Sequence, residues 1–437
     1  MKVLKFGGTS LGDPQRIQNV SSLINQDSEQ KIVVLSAMSQ TTNSLLEICD
    51  YYEKENPDAA HSYIKKLEKK YYGVIEELLS KKETIARAYE TIKEHIKFIR
   101  DFSAVPYDIT VEKAIVSRGE ILSTNLMQLY HEEQNIPSVL LNSFDFMVID
   151  ADGEPILPEI EKRLSAILAQ HKTNQLFIVQ GFICLNPQGG IDNLKRGGSD
   201  YTASLIGAAT RSSIVEIWTD IDGVHNNDPR VVQNTHPIAM LTFDEAAELA
   251  YFGAKVLHPS TVLPAKLKNI PVVLKNTMNP DAPGTYISNE ESGTGIKAIA
   301  AKDNVFAVKV KSGRMLLAYG FLRKVFEIFE KHKTPIDMIT TSEVAVSLTV
   351  DNDDYLAQIA DELKILGEVH VDKFQTIICV VGNIIAEKQG YAIQVLEALE
   401  NIPVRMISYG GSENNISILI ETRYKEKALN NLHEHLF

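Results

Sequence analysis

A short apolar strand that breaks on two glycines and restarts as a helix constrains this chain more than any other stretch. Val3-Leu4-Lys5-Phe6 reads as the strand and Gly7-Gly8-Thr9-Ser10 as the break, and Ile17, Val20, Leu23 and Ile24 recur at helical spacing behind it. A helix start leaves backbone N–H groups that no helical carbonyl can satisfy, and such groups attract anions. Glycine allows close approach because no Cβ intervenes. Lys5 adds a mobile cation at the same edge. The stretch fits a cradle for nucleotide phosphates and, equally, an ordinary strand-to-helix turn beside a surface lysine. The Walker GxxxxGK[ST] and Rossmann GxGxxG patterns are both missing from it.

Further apolar runs follow. Lys31-Ile32-Val33-Val34-Leu35 is continuous, as in strands buried on both faces of a parallel sheet. It ends in a small polar loop, Ser36 to Asn43, and ligands of open α/β sheets sit at such carboxyl ends. From about 44 to 103 the chain is charged and helical, predicting two or three inserted helices whose Tyr51, Tyr52, Tyr63, Tyr71 and Tyr72 serve packing. A helix starts near Ser117-Arg118-Gly119-Glu120, where Glu120 by itself is only a favourable partner of the helix dipole. Short strands are predicted at Ser138-Leu141 and Phe146-Ile149, a helix at Glu159-Gln170, and strands at Leu176-Gln180 and Ile214-Trp218. Val272-Lys275 reads as the last strand of this sheet and Asn276 to Gly295 as a linker.

Two polar stretches carry chemistry. In Lys195-Arg196-Gly197-Gly198-Ser199-Asp200 a glycine pair again opens a helix, with Ser199 or Asp200 able to cap it. A capped helix needs no arginine, whereas Arg196 beside exposed N–H groups suits a carboxylate, gripped by its planar fork. Thr219-Asp220, followed by His225 and Asp228-Pro229-Arg230, suits a ribose, a base edge or a metal-bound phosphate, or forms a capped acidic turn. Lys255 can reach phosphates.

After Ile299 the rhythm shortens to strand, helix, strand, strand, helix, strand over Asn304-Val371, the ferredoxin-like order. A second copy from Gln375 lacks a sixth element, an arrangement in which the two are expected to lend strands to each other. The 437 residues leave room for two to four domains. A net charge of -13 argues against nucleic-acid binding, no run reaches membrane-spanning length, and Cys49, Cys184 and Cys379 are too scattered for disulfides or zinc. A cytoplasmic protein without a signal peptide is expected.

Taken together the motifs resemble those of the aspartokinases: Lys5-Ser10, Leu35-Asn43, Ser117-Glu120, Lys195-Asp200, Trp218-Arg230 and Phe252-Pro259, in order along the whole chain. Gly320-Phe321-Leu322 and Ile339-Val344 resemble most the monofunctional, lysine-sensitive branch, and no Rossmann fingerprint follows to suggest a fused homoserine dehydrogenase. The resemblance implies an α/β fold: an amino-acid-kinase three-layer α/β/α sandwich with a mostly parallel central sheet over 1–295, then two ferredoxin-like (βαββαβ) ACT domains at 300–373 and 374–437. It implies transfer of the ATP γ-phosphoryl group to the side-chain carboxylate of L-aspartate, with Mg²⁺ carried by the nucleotide and no metal site of the chain's own.

By the same resemblance Lys5 contacts the transferring phosphoryl group, Asp200 orients Lys5, and Gly7, Gly8 and Thr9 cradle phosphate. Arg196 clamps an aspartate carboxylate, Glu120 receives the ammonium, and Ser36, Thr42, Phe182 and Ser199 complete that pocket. Thr219, Asp220, Arg230 and Lys255 hold the nucleotide. His225 replaces a tyrosine usual in the family, which leaves its nucleotide contact open against simple packing. Met315, Gly320, Phe321, Leu322, Asp337, Thr341, Ser342 and Glu343 match a lysine effector pocket, although Ala318 stands where close relatives have serine. At least a homodimer through the ACT domains is implied. Two rival expectations are an amino-acid-kinase-fold enzyme for glutamate or a nucleotide, and a catalytically dead lysine-binding subunit.

Overall fold

The buried apolar strands of the N-terminal half lie side by side in one sheet. The computed structural model describes residues 1–194, 197–253, 257, 259–290, 293–313, 315, 319–383 and 390–437. In chain order the elements are β1 (Lys2–Phe6), α1 (Pro14–Ile24), β2 (Lys31–Leu35), α2 (Thr41–Glu53), α3 (Pro57–Leu78), α4 (Lys82–Asp101), α5 (Ile109–Val116) and α6 (Arg118–Glu133). Then come β3 (Val139–Leu141), α7 (Leu157–Gln170), β4 (Leu176–Gln180), a hairpin of β5 (Ile183–Leu185) and β6 (Ile191–Asn193), and α8 (Gly198–Thr210). They are followed by β7 (Ile214–Thr219), β8 (Met240–Thr242), α9 (Phe243–Tyr251), α10 (Pro259–Leu267), β9 (Val272–Asn276) and β10 (Thr285–Ser288). The eight-stranded sheet runs β3-β4-β2-β1-β7-β9-β10-β8. Its pairings are parallel except β9 with β10. Every residue of β2 and β4 is buried, so both faces are covered and the runs need no polar alternation.

Helix starts follow local signals. The Asp13 side chain accepts from the Arg16 N–H and Pro14 takes the first turn of α1, whose Ile17, Val20, Leu23 and Ile24 are buried as their spacing requires. The insertion is three helices, α2 to α4. Their apolar faces, including Tyr52, Ile64, Tyr71 and Ile96, join one core with Leu4, Phe6, Val33 and Leu35. The tyrosines therefore pack. Helix α4 has no side-chain cap of its own; instead Glu133, at the end of α6, accepts from the Ser80 and Lys81 N–H groups (2.8 and 3.0 Å) and from the Ser80 and Thr84 hydroxyls (2.7 and 2.5 Å). Burial alone would raise its pKa, but those donors hold it down to about 2. A depressed carboxylate contributes stability above the unfolded value, near 4.5, and loses it as pH falls toward 2. Glu133→Gln should cost about 2 kcal/mol in urea unfolding at neutral pH and flatten that acid limb. An unchanged midpoint would remove Glu133 from the stability of the fold.

Two expectations need correction. Phe146-Ile149 forms no strand: Val148 and Ile149 make only isolated bridges, to Leu185 and Pro155. The run is apolar because it is buried, not because it is paired. Val272-Lys275 is not the last strand either, since the Gly/Pro-rich stretch after it contains β10, and β8 extends the sheet further. Such short strands, flanked by turn residues, leave little periodic signal.

The chain divides into two compact units: Met1–Val224, Ala239–Phe243 and Leu257–Glu290 in the first, His225–Ile238, Asp244–Val256 and Glu291–Phe437 in the second. The second unit contains β11 (Gly295–Lys311), α11 (Phe321–Lys331), β12 (Ile339–Thr341), β13 (Ala345–Val350), α12 (Leu356–Leu363), β14 (Glu368–Asn383), α13 (Tyr391–Ala398), β15 (Val404–Tyr409), β16 (Asn415–Glu421) and α14 (Lys425–Leu436). They form one six-stranded sheet, β12-β13-β11-β14-β16-β15. Strands β11 and β14 are long and serve both repeats. The first half of β11 pairs with residues 377–383, and its second half with β13 and residues 368–375. The strand predicted from Asn304 thus begins at Gly295. The register shifts near Asn304, which has φ +60°, and that kink within a polar stretch hides one strand as two.

Candidate active site

Parallel register lines up the residues that follow the strands. The Ser36 N–H donates to the Phe6 carbonyl (3.2 Å), Gly181 N–H to the Leu35 carbonyl (2.9 Å), and Gly7 N–H to the Trp218 carbonyl (3.2 Å). The carboxyl ends of β1, β2, β4 and β7 therefore share one edge, as ligand sites of such sheets require. There a pocket of about 710 Å³ is lined by Lys5, Gly8, Thr9, Ser36, Thr42, Glu120, Phe182, Ser199 and Asp200. Its other lining residues include Ala37, Met38, Ser39, Gln40, Asn43, Leu194, Gly197 and Gly198.

The Lys5 Nζ lies 2.7 Å from Asp200 Oδ1, and the two side chains are 11% and 16% exposed. Asp200 sits in the first turn of α8, where the helix dipole favours a carboxylate. Neither Ser199 nor Asp200 caps that helix: Gly197 holds the cap position at φ +70°, a left-handed backbone that suits glycine. The two glycines after β1 play different parts. Gly7 spends its N–H on Trp218, so it is not a donor to the pocket. Gly8 and Thr9, opening a 3-10 turn, have N–H groups with no acceptor among the described residues. A Cβ on Gly8 would stand 2.8 Å from the Ala37 carbonyl oxygen, so only glycine lets these two loops touch.

Glu120 is buried, with Oε1 accepting from the Ala37 N–H at 3.2 Å and Oε2 without a partner among the described residues. Burial pushes its pKa up to about 8, against the opposing pull of the Ala37 N–H and the Lys5 charge. A buried carboxylate with an unclaimed oxygen at a pocket wall is a receptor for a cation. Lysine, free N–H groups and this carboxylate together suit a ligand with anionic and cationic ends.

The remaining predicted residues fall elsewhere. Thr219 ends β7 and Asp220 follows it, the Thr219 hydroxyl donating to Asp220 at 3.1 Å, and neither lines this pocket. His225 and Arg230 belong to the second unit, where His225 Nδ1 is 2.9 Å from the Thr235 hydroxyl and Arg230 forks onto Asp228 at 2.9 and 2.8 Å. Arg196 and Lys255 lie outside the described residues. Of the effector set, Gly320 starts α11 at φ +79°, Phe321 is buried and Leu322 packs on the same core; Met315 donates its N–H to the Ser312 carbonyl. Asp337 Oδ1 accepts from the Tyr251 hydroxyl at 2.5 Å and pairs with Lys302 at 2.9 Å, while its buried Oδ2 has no hydrogen-bond partner among the described residues. Thr341 ends β12, the Ser342 N–H donates to the Ala345 carbonyl, and Glu343 is exposed. Sequence reasoning missed Ala37, whose N–H holds Glu120; a backbone donor leaves no trace in residue type.

Residues 1–276 match the Amino acid kinase family and residues 378–436 an ACT domain. The chain thus carries an amino acid kinase domain followed by an ACT domain. Over its whole length the chain is 36% identical to Aspartokinase 3, chloroplastic, of Arabidopsis thaliana, covering 81% of that protein, and 33% identical to Lysine-sensitive aspartokinase 3 of Escherichia coli, covering 99%. Among solved structures, E. coli aspartokinase III with aspartate and ADP (R-state) superposes with a TM-score of 0.84 at 32% identity, all of both chains being covered. The same enzyme with lysine and aspartate (T-state) gives 0.83 at 32%, covering all of this chain and 99% of that one. The chain belongs to the aspartokinases, the enzymes that phosphorylate aspartate.

Proposed function

We propose that the pocket at the carboxyl edge of β1, β2 and β4 holds L-aspartate against the terminal phosphate of ATP. The observation that carries this is the gathering of the Lys5–Asp200 pair, the unclaimed Gly8 and Thr9 N–H groups and the buried Glu120 in one cavity. The E. coli structures with aspartate, ADP and lysine support the same ligands here.

The acceptor carboxylate, with a pKa near ~4, is ionised at neutral pH, so no general base is needed. An oxygen of that carboxylate forms a bond to the γ-phosphorus while the bond to ADP breaks, giving 4-phospho-L-aspartate and ADP. What the chain must supply is alignment and positive charge around a phosphoryl group in flight between two anions. Lys5 supplies the cation, Asp200 fixes its direction, and Gly8 and Thr9 offer backbone donors. Glu120 takes the α-ammonium and Arg196 the α-carboxylate, with Ser36, Thr42, Phe182 and Ser199 around them. Thr219 and Asp220, after β7, serve the nucleotide, while His225, bonded to Thr235, serves packing.

Among the described residues no group of three His, Cys, Asp or Glu side chains could hold a metal ion, and Asp200 is spent on Lys5. That donor set fits Mg²⁺ bound chiefly through the nucleotide's phosphates, whose charge it would neutralise. Lysine, as feedback inhibitor, would bind around Asp337 and Glu343 and favour an inactive arrangement, by differential affinity alone. The ACT modules would pair two chains. Buried, unpaired Cys49, Cys184 and Cys379 fit a reducing cytoplasm. Among the described residues no helix is long and apolar enough to cross a membrane.

The test is ADP release with L-aspartate against L-glutamate at equal concentration. Aspartate should be turned over at least about tenfold faster, because one methylene displaces the acceptor oxygen from the phosphorus. Faster turnover of glutamate would refute the assignment.

A further inference from the structure

The loop from Ser36 to Asn43 supplies more of the pocket wall than any other segment, yet it contains a residue in an unfavourable conformation. Gln40, at the cap position of α2, has φ +66° and ψ -4°, the left-handed region that a non-glycine side chain seldom adopts. Its side chain is exposed and makes no capping bond. Such backbone persists only where surrounding contacts over-determine it. Beside the local bonds from the Ser44 N–H and hydroxyl to the Gln40 carbonyl and from the Asn43 side chain to Gln40 Oε1, two contacts come from consecutive residues of α3. On the residue before Gln40, the Ser39 carbonyl accepts from the Lys70 Nζ at 2.5 Å. On the residue after it, the Thr41 hydroxyl meets the Tyr71 hydroxyl at 3.1 Å, Tyr71 being fully buried. Lys70 is half-buried, burial lowers its pKa, and no carboxylate among the described residues pairs with it. Its ammonium is thus committed to a backbone carbonyl rather than to an ion pair, which makes that bond charge-assisted.

We infer that Lys70 and Tyr71 of the helical insertion clamp the pocket loop on either side of its strained residue, and that Lys70 is a positioning residue for the amino-acid substrate. It acts through Ser39 and the loop; it does not line the pocket. Releasing the Ser39 carbonyl lets Gln40 relax toward a right-handed or extended backbone. Ser36, Ala37 and Thr42 then shift, and with them the N–H that holds Glu120. The nucleotide side of the site, built on β1 and β7, meets this loop where Gly8 lies against Ala37, whereas Lys70 and Tyr71 themselves bond Ser39 and Thr41. The inference rests on the proposed aspartate role of the pocket.

The test compares Lys70→Met, Lys70→Arg, Tyr71→Phe and Glu120→Gln in the full chain, reading kcat, the KM of each substrate and Tm. Lys70→Met should raise the KM for aspartate about tenfold, with the KM for ATP within about twofold, since small misplacements weaken alignment strongly. Lys70→Arg, which keeps a charged donor, should recover most of that loss, and Tyr71→Phe should show the same aspartate-selective effect more weakly. The clamp is overturned if Lys70→Met and Tyr71→Phe leave the KM for aspartate unchanged while Glu120→Gln raises it. It is overturned equally if both KM values rise together with a fall in Tm, which is general loss of fold. If none of the variants, Glu120→Gln included, moves the KM for aspartate, the pocket assignment falls as well.

Discussion

Replacing Lys5 with methionine should lower kcat about 10²–10³-fold while the KM for aspartate stays within about threefold. The magnitude follows from the task given to its ammonium. As the group leaves, charge builds on the departing ADP oxygen and is spread over the phosphoryl oxygens, so a cation fixed there stabilises the transition state more than the bound substrates. The split between kcat and KM is the informative part. Lys5 is held by Asp200 at 2.7 Å in a largely buried pair, so deleting the lysine leaves a carboxylate with no counter-charge. The double variant Lys5→Met with Asp200→Asn removes that burden. It should unfold at a higher temperature than Lys5→Met alone and be just as inactive. A KM that rises as steeply as kcat falls would make Lys5 a binding group instead.

The second large effect is a pH dependence. Burial holds the Glu120 pKa up to about 8 in the pocket, so at neutral pH most of this carboxyl is protonated before substrate arrives. An α-ammonium bound beside Oε2 favours the charged form, and binding must then expel a proton. The sign follows: the carboxylate is available above about 8, and each pH unit below that should raise the KM for aspartate about tenfold. In Glu120→Gln the KM should be high and flat from pH 6 to 9. A sloping profile that survives in Glu120→Gln would assign the titration to another group.

Much of the kinase unit was legible because its signals are local and redundant. Strands buried on both faces read as unbroken apolar runs, α1 carries both its cap and its buried stripe, and glycine pairs mark the loops that approach a ligand. Lys5, Glu120, Ser36, Phe182 and Asp200 are far apart in the chain, and only the parallel register of β1, β2 and β4 brings them to one edge. That Asp200 meets Lys5 could be expected only from the family resemblance, because no spacing encodes a contact between residues so distant. What stayed hidden had no side-chain signature. The Ala37 N–H, the Gly7 N–H spent on Trp218, and the Lys70 bond to a carbonyl are backbone facts. The strand that begins at Gly295 was hidden by a polar kink at Asn304, and β10 by its brevity within a Gly/Pro-rich stretch.

The most direct check on phosphoryl transfer in this pocket is to trap the product with hydroxylamine, which converts an acyl phosphate to a hydroxamate. With ATP, Mg²⁺ and L-aspartate, the chain should form one aspartyl hydroxamate for each ADP released, and Lys5→Met should slow both about 10²–10³-fold. ADP release without hydroxamate, or hydroxamate formed at an undiminished rate without Lys5, would contradict it.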